Sequence, residues 1–391
     1  MGINFEAPIL KRQVPIPAEV LVAETYQELV VTKFARLFAD SDPLRLDCGK
    51  ELNNIDVAYE TYGVLNDDGT NAILICHALT GSSHAAGYNS PDDKTAGWWD
   101  GLIGPGKAFD TDRYFVICSN ILGSCYGTSG PTSIDPSTNL PYRTSFPQIT
   151  VRDIVRVQKK LLDALGVIKL VTVCGSSLGG MQVLEWALLF PEFCETIIPI
   201  SVSARQPAGC IALNTAARAA ITGDPEWHDG RYFRQPAHGL ALARIIGMIS
   251  YRSFEEFEQR FGRARFEEGK RFDAENPYEV ERYLQYQGEK LVERFDASTY
   301  VLLSRATDSH DVTYGRGDLA EVLGSISADT LCIGVSSDAR YPVREQKELV
   351  KYIPNACYAE IQSIHGHDAF LIEYDQLNRI VGDFLGKRGN A

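Results

Sequence analysis

The sequence of 391 residues has no apolar run near the ~18 residues that a membrane-spanning helix needs. Its N-terminus, MGINFEAPIL, lacks the basic and apolar segments of a secretory signal peptide. Basic residues are in the minority, because 38 Lys and Arg stand against 51 Asp and Glu, for a net charge of −13. This balance argues against binding to nucleic acid or to an anionic membrane. We therefore expect a cytoplasmic protein with no nucleic-acid or membrane partner.

Cysteine pairs with the spacing of a zinc site are also absent. The nine cysteines are scattered along the chain. Cys76, Cys118, Cys174 and Cys332 lie in apolar, strand-like segments, where reduced cysteines behave as core residues. We predict no metal site and no resident cofactor.

Apolar strand-like segments alternate with amphipathic helical segments over most of the chain. Residues 29–35 and 55–62 alternate in the manner of antiparallel strands. Later segments are continuously apolar, which is typical of strands buried on both faces of a mainly parallel sheet. These segments are NAILICHALTG (71–81), RYFVICSN (113–120), KLVTVCGSS (169–177), TIIPISV (196–202), DTLCIGVSS (329–337) and ACYAEIQS (356–363). Strands that alternate with helices predict an α/β fold with a mostly parallel central sheet.

Residues 206–318 differ from their surroundings. They are rich in Arg, Glu and aromatic residues and have helical periodicity without strand-like runs, as in LALARIIGMISY. We predict that they form a helical lid domain inserted into a core made of residues 26–205 and 319–391. Residues 1–25 contain three prolines and no sustained period, so we predict an extended N-terminal arm.

GSSLG (175–179) matches the pattern G-x-S-x-G, with Ser177 as its central serine. A predicted buried strand runs into this stretch and a predicted helix runs out of it, which is the arrangement of a nucleophile elbow. The sharp turn of an elbow requires small neighbours, such as Gly175 and Gly179. A glycine-rich turn without chemistry is the alternative. The flanking elements favour Ser177 as the nucleophile, with Ser176 pointing away.

A serine hydroxyl needs a base to accept its proton. In this arrangement the acid and then the histidine follow the serine along the chain. Asp338 follows the strand DTLCIGVSS, and His367 follows ACYAEIQS beside Gly366, which permits a close approach. We predict that His367 carries the proton and that Asp338 orients its ring.

Rival residues exist for both partners. Asp308 and Asp311 are alternative acids, but they lie in the helical region or its return; His365 is an alternative base that we expect to be a wall residue. A tetrahedral oxyanion also needs backbone donors. We expect one to be the N–H of Leu178 and the other to come from the loop HALTGS.

Longer stretches carry a family resemblance from about residue 50 to the C-terminus. They are CHALTGSSH, GWWDGLIGPGKAFDTDRYFVICSNILGSCYGTSGP, SLGGMQVLEWA, YLQYQGEKLVERFDASTY and HGHDAFL. In these stretches the sequence resembles the homoserine O-acyltransferases of the α/β-hydrolase superfamily. The resemblance implies an α/β-hydrolase fold and a seryl acyl-enzyme that transfers the acetyl group of acetyl-CoA to the hydroxyl of L-homoserine, in methionine biosynthesis. It also implies a homodimer formed through the lid.

The same resemblance implies roles for three further residues. Leu79, in CHALTG, would supply the second oxyanion donor. Arg218, in IALNTAARAAI, would bind the carboxylate of the acceptor, and Asp368 would bind its ammonium group. Without the resemblance, Arg218 would pass for a solvated helix arginine and Asp368 for a loop cap.

Donor and acceptor stay open at this point. Acetyl-transferring relatives usually have leucine where Arg340 stands, whereas succinyl-transferring relatives often have arginine, which would pair with the free carboxylate of succinyl-CoA. Alternatively, Arg340 faces solvent or pairs with Glu345. The elbow SLGG is common among the succinyl group, but HGHDAFL and DSHDVTYGRGD resemble the acetyl group. The stretch NTAARAAI departs from the more usual NEVQRQAI, so serine or another alcohol is an alternative acceptor.

Two further classes compete with acyl transfer. A plain esterase or lipase would use the same three catalytic residues, but a lipase typically has an HGGG-type oxyanion motif where this sequence reads CHALTG. A non-catalytic binding protein of the same fold would lack one of the three residues, and all three are present here.

Overall fold

A computed structural model describes residues 29–270 and 273–386. The predicted N-terminal arm, residues 1–25, lies outside the described residues. The centre of the fold is a sheet of eight strands. Numbered here along the chain, they are β1 Lys33–Leu37, β2 Ile55–Tyr62, β3 Ala72–Cys76, β4 Phe115–Ser119, β5 Leu170–Ser176, β6 Cys194–Ile200, β7 Asp329–Val335 and β8 Ala356–Ile361.

The spatial order of the sheet is β1-β2-β4-β3-β5-β6-β7-β8. β2 pairs antiparallel with β1 and with β4, and the remaining neighbours pair in parallel. The predicted α/β fold with a mostly parallel sheet is therefore confirmed. The strand predicted at residues 29–35 is wrong in its bounds, because pairing with β2 runs from Lys33 opposite Tyr59 to Leu37 opposite Ile55.

Helices cover both faces of the sheet. Along the chain they are α1 Val151–Ala164, α2 Leu178–Leu189, α3 Ala208–Thr222, α4 Ala237–Tyr251, α5 Phe254–Arg260, α6 Glu279–Val292, α7 Ala297–Asp308, α8 Leu319–Gly324, α9 Val343–Tyr352 and α10 Tyr374–Gly386. Apolar residues of α1, α2 and α9 join one core cluster, and those of α10 join a second cluster that contains Trp99. The sheet is consequently buried on both faces, as its continuously apolar strands require.

The helices between β6 and β7 occupy the region predicted as a lid. α3 packs on α4 and α7, and α4 packs on α6. Within the described part of this region the structure has no strand of the main sheet. The exact domain boundaries stay a prediction.

Short elements complete the described chain. They are two small antiparallel pairs, Leu44–Arg45 with Glu51–Leu52 and Ile134–Asp135 with Leu140–Pro141, and the 3₁₀ helices Arg143–Ser145, Pro225–Gly230 and Gly366–Leu371. None of the helices within residues 29–270 and 273–386 combines the length and apolar character needed to traverse a bilayer.

The core cysteines behave as the sequence predicts. Cys76, Cys118, Cys174 and Cys332 are buried and free of disulfides. Burial raises the pKa of each thiol, so these side chains are protonated and act as small apolar groups.

Candidate active site

Ser177 lies in the sharp turn between β5, which ends at Ser176, and α2, which begins at Leu178. Its backbone angles are φ 56° and ψ −122°. Such a conformation costs a residue with a side chain of the order of 1–3 kcal/mol. The turn is held by a hydrogen bond of 3.1 Å from the Ser177 N–H to the Ile200 carbonyl. The predicted strand–turn–helix is thus present, and it presents one serine to a cavity.

The two flanking glycines allow the elbow to pack against the end of β3. A Cβ atom on Gly175 would lie 2.7 Å from the carbonyl oxygen of Cys76, and one on Gly179 would lie 2.1 Å from the same oxygen. Both distances are well below contact distance. Any larger residue would push the elbow away from β3, so the glycines are required by packing.

His367 and Asp338 form a buried pair. His367 lies on the 3₁₀ helix after β8, Asp338 lies after β7, and the Nδ1 atom of His367 is 2.7 Å from Oδ2 of Asp338. The second carboxylate oxygen of Asp338 accepts the backbone N–H groups of Arg340 and Tyr341, at 2.8 and 3.0 Å. Both oxygens are therefore engaged, which fixes the direction in which the carboxylate meets the ring.

Ser177 and His367 line one cavity of about 590 Å³, which lies between the sheet and the lid helices. Leu79, Asp368 and Tyr251 line the same cavity. Although both side chains are described, no hydrogen bond joins Ser177 to His367. Catalytic hydrogen bonds in ligand-free structures are often long and tighten when substrate binds.

The rival acids and base lie elsewhere. Asp308 pairs with Arg218, the carboxylate of Asp311 accepts from Thr313, and Nδ1 of His365 lies 3.4 Å from Glu256. None of these three rivals is among the described residues that line the cavity. The geometry therefore favours Asp338 and His367 over them.

The expected oxyanion donors are available. Leu178 is the first residue of α2, where a backbone N–H has no partner within the helix. Leu79 lies in the loop after β3 and lines the cavity. Within the described residues, no hydrogen bond takes up the backbone N–H of Leu79 or of Leu178. Both groups are free to bind an anionic oxygen.

Arg218 does not reach this cavity, so the position expected for a carboxylate-binding arginine is wrong. Its guanidinium lies 2.6 Å from Asp308 and also donates to Ser304, at 3.3 Å. Its second terminal nitrogen donates to Thr215 at 3.1 Å, so both terminal nitrogens are engaged within the lid, and Arg218 is not among the residues that line the cavity. The lid brings α3 against α7, and this packing satisfies Arg218 internally.

Arg244, on α4, faces the cavity that Arg218 does not reach. It lines the cavity together with Ser177 and His367. Its guanidinium lies 5.6 Å from the centre of the Tyr251 ring, and no described carboxylate lies within 4.0 Å of it. Arg244 and Tyr251 stand at i and i+7 of LALARIIGMISY, two turns apart on one face of α4. The spacing shows that the two side chains share a face of α4, but it does not show that this face is turned toward the cavity.

Asp368 lines the cavity, and its role toward an ammonium group stays a prediction. Its carboxylate is 3.3 Å from Nε of Arg252. Burial raises the pKa of Asp368, and the positive charges of Arg252, Arg244 and His367 oppose that rise. A bound ammonium group would therefore interact with a carboxylate that is largely shielded from water.

Arg340 lies outside the residues that line the cavity. Its guanidinium donates to Ser250 on α4 at 2.9 Å and lies 5.2 Å from the Tyr251 ring centre. It therefore neither faces solvent nor pairs with Glu345, whose described partner is Arg344. The structure places it behind Tyr251, where it joins the lid to the loop of Asp338.

Comparisons with known proteins concern the sequence and the fold as a whole. The alpha/beta hydrolase fold family matches residues 71–373. A homoserine O-acetyltransferase from Deferribacter desulfuricans is 50% identical over 365 residues, covering 92% of this chain and 96% of the relative. The crystal structure of homoserine O-acetyltransferase from Bacillus anthracis has a TM-score of 0.86 at 32% identity, covering 92% of this chain and 98% of that one.

An esterase is also similar in structure. The crystal structure of esterase E22 has a TM-score of 0.84 at 30% identity, covering 91% of this chain and 100% of that one. The likeness of fold therefore extends to a hydrolase, whereas the higher sequence identity is to acetyltransferases. On that identity, and on the match of the alpha/beta hydrolase fold over most of its length, the chain belongs to the homoserine O-acetyltransferase family of the α/β-hydrolase superfamily.

Proposed function

We propose that this protein transfers the acetyl group of acetyl-CoA to the side-chain hydroxyl of L-homoserine, through an acyl-enzyme on Ser177, as a step of methionine biosynthesis. The observation that carries the proposal is the cavity that Ser177 shares with the His367–Asp338 pair, Arg244 and Asp368. Identity of 50% to a curated homoserine O-acetyltransferase supports the choice of donor and acceptor.

In the first half-reaction, Ser177 Oγ attacks the thioester carbonyl while Nε2 of His367 takes its proton. Asp338 holds the opposite ring nitrogen, Nδ1–H, and stabilises the imidazolium that forms. The N–H groups of Leu79 and Leu178 would bind the oxyanion of the tetrahedral intermediate. The C–S bond then breaks, and the leaving thiolate of CoA takes the proton from His367.

In the second half-reaction, the hydroxyl of homoserine attacks the acetyl-serine ester and gives its proton to His367. The tetrahedral intermediate collapses with Ser177 as the leaving group, and His367 returns the proton to its oxygen. The product is O-acetylhomoserine, and the site is restored. The proposed mechanism uses no metal ion and no resident cofactor.

We assign the acceptor's carboxylate to Arg244 and its ammonium group to Asp368. The planar guanidinium binds a carboxylate through two parallel hydrogen bonds. Arg244 supports this role because it lines the cavity without a close carboxylate partner among the described residues. Binding both ends of the amino acid orients its hydroxyl, which favours transfer over attack by water.

The experiment measures release of the CoA thiol from acetyl-CoA with homoserine, with serine and with no acceptor. Thiol release that requires homoserine supports the proposal, and Ser177→Ala should abolish it, whereas Ser176→Ala should not. Release that is equally fast without any acceptor would identify a thioesterase. Hydrolysis of simple acetyl esters without any use of acetyl-CoA would instead identify an esterase. A preference for succinyl-CoA over acetyl-CoA would overturn the proposed donor assignment. A preference for serine over homoserine would overturn the proposed acceptor assignment.

We also propose that the protein is cytoplasmic and forms a homodimer through the lid. The dimer is supported by three apolar residues of the lid region that are largely exposed, Phe233 at 96%, Phe254 at 89% and Ile249 at 47%. A contiguous exposed apolar patch marks an interaction surface, and the proposal is that these residues contribute to one. Light scattering coupled to gel filtration would test the dimer, and a monomer would overturn it.

A further inference from the structure

His77 is a fully buried histidine directly after β3, two residues before the proposed oxyanion donor Leu79. Its Nε2 atom accepts the backbone N–H of Ile121, at 3.1 Å. Because a backbone N–H can only donate, Nε2 carries no proton, and the neutral ring must carry its proton on Nδ1. Burial lowers the pKa of His77 to about 4, which keeps the ring neutral near pH 7.

The Nδ1–H group of His77 donates to the carbonyl oxygen of Ala78, at 2.8 Å. The same oxygen accepts the backbone N–H of Gly81, at 2.9 Å. These two bonds fix the direction of the carbonyl in the peptide unit between Ala78 and Leu79. In a planar trans peptide the N–H points opposite to the C=O. Fixing the Ala78 carbonyl therefore also fixes the direction of the Leu79 N–H.

Gly81 is required for this contact. A Cβ atom at residue 81 would lie 2.9 Å from Cβ and 3.2 Å from Nδ1 of His77. The turn of residues 78–81 is thus packed directly against the imidazole. A methyl group at this position would push the ring away from the Ala78 carbonyl.

A second buried side chain ties this loop to the nucleophile elbow. Nε2 of Gln182 donates both to the His77 carbonyl, at 3.2 Å, and to the Leu178 carbonyl, at 3.0 Å. Its Oε1 accepts from Gln158 at 2.8 Å, and Gln158 in turn accepts from the indole N–H of Trp186 at 2.8 Å. Every member is at most 2% exposed, so the spacing between the Leu79 loop and the Leu178 turn is held by a satisfied polar network.

We infer that His77 is a positioning residue of the reaction: its Nδ1–H holds the Ala78 carbonyl so that the Leu79 N–H meets the oxyanion, while Gln182 holds that loop at its distance from the elbow. The inference rests on the proposed acyl transfer at Ser177. His77 itself touches no reacting atom. Its contribution is expressed in the transition state, where the oxyanion charge develops.

The experiment compares His77→Asn with His77→Gln. The Asn amide nitrogen can occupy the place of Nδ1 and keep the bond to the Ala78 carbonyl, whereas the Gln amide reaches the place of Nε2 and keeps the bond from Ile121. Each variant loses one hydrogen bond, and the shorter Asn side chain leaves the larger gap, so a purely structural role predicts that His77→Asn loses at least as much stability and activity as His77→Gln. The positioning role predicts that kcat falls about 10²–10³-fold in His77→Gln and less than about 10-fold in His77→Asn. KM for acetyl-CoA and homoserine should change little in both.

Equal kcat losses in the two variants, or a His77→Gln enzyme with wild-type kcat, would overturn the inference. If both variants fail to fold, Gly81→Ala replaces them and should lower kcat at least about 10-fold with KM retained. The matched control is Gly382→Ala, where an added Cβ meets no atom within 4 Å and kcat should not change. Wild-type turnover in Gly81→Ala would also overturn the inference. A wild-type enzyme that transfers no acetyl group would instead refute the proposed function.

Discussion

The imidazole of His367 and the carboxylate of Asp338 meet at 2.7 Å, although they follow two different strands of the parallel sheet. The carboxyl ends of neighbouring parallel strands lie at the same edge of a sheet, which brings the loops after β7 and β8 together. Both side chains are nearly excluded from solvent, with Asp338 4% and His367 3% exposed. Their interaction is therefore little screened by water and strongly sets the orientation of the ring.

We predict that Asp338→Asn lowers kcat on the order of 10⁴-fold, because the amide favours the wrong tautomer of His367. The variant should fold, since its shape is conserved. His365→Asn is the control, because His365 lies 3.4 Å from Glu256 rather than in the cavity, and its kcat should stay close to wild type. Steady-state kinetics with thermal unfolding of each variant would check both. Full activity of Asp338→Asn would exclude Asp338 as the orienting acid.

Arg244→Lys and Arg218→Lys should behave differently. A lysine at 244 retains the charge but loses the fork that binds a carboxylate in two places, so KM for the acceptor should rise about 10-fold or more. A lysine at 218 can still pair with Asp308, so KM should not change. Titration of the acceptor at saturating acetyl-CoA measures both. A raised KM only in Arg218→Lys would restore the original assignment of that residue.

Arg340→Leu should leave the preference for acetyl-CoA over succinyl-CoA unchanged. The guanidinium donates to Ser250 and stacks on Tyr251 outside the cavity lining, so the substitution should instead lower the unfolding temperature. The control is Arg344→Leu, whose side chain is 79% exposed and should hardly affect stability. A specific loss of succinyl-CoA use in Arg340→Leu would revive its role in donor selection.

Stability should fall as the pH drops from about 6.5 toward 4, because of His77. Its pKa is lowered by burial from 6.5 to about 4, so in this range the unfolded chain binds a proton that the folded protein does not. The stabilisation is complete above the unfolded pKa and decreases by about 2–3 kcal/mol between pH 7 and pH 4.5. Denaturant unfolding at both pH values measures it, and His77→Gln should show a smaller decrease. An identical pH dependence in the two proteins would contradict the assignment to His77.

Glu185→Ala should lower the free energy of unfolding by about 3–5 kcal/mol. Glu185, on α2 below the elbow, is 2% exposed and accepts Arg316 at 3.1 and 2.7 Å and Arg152 at 3.3 Å. Its removal leaves two guanidinium groups without their carboxylate.

Arg36→Ala is the comparison, because the Arg36–Asp56 pair is exposed and water already screens it. Denaturant titration should show a much smaller change for Arg36→Ala than for Glu185→Ala. Equal changes would mean that burial does not determine the strength of the Glu185 cluster.

Local patterns were sufficient for the strands and for the elbow. β3 is AILIC, an apolar run buried along its whole length, and the glycines at 175 and 179 stand where the backbone of Cys76 approaches. Both features depend on residues close together in the sequence and on contacts between neighbouring strands that are common to parallel sheets. The beginning of β1 was misplaced because Leu29 and Val30 are apolar but lie outside the pairing with β2.

Local patterns could not predict that Arg244, rather than Arg218, faces the cavity. Arg218 and Arg244 both lie on amphipathic lid helices, α3 and α4, and either helix could have turned a cation toward Ser177. The packing of α3 on α7 brings Arg218 to Asp308, and this leaves Arg244 on the cavity wall.

The sequence by itself determined the α/β architecture, the family and the serine in the elbow. These depend on hydrophobic periodicity and on short motifs, which are local properties of the chain and do not require knowledge of tertiary contacts. Only the tertiary structure decided which arginine is free, where Arg340 points and how His77 orients the Leu79 peptide. Those outcomes depend on contacts between segments that are far apart in the sequence. The packing of the helices determines which partner lies within hydrogen-bonding distance of each charged side chain.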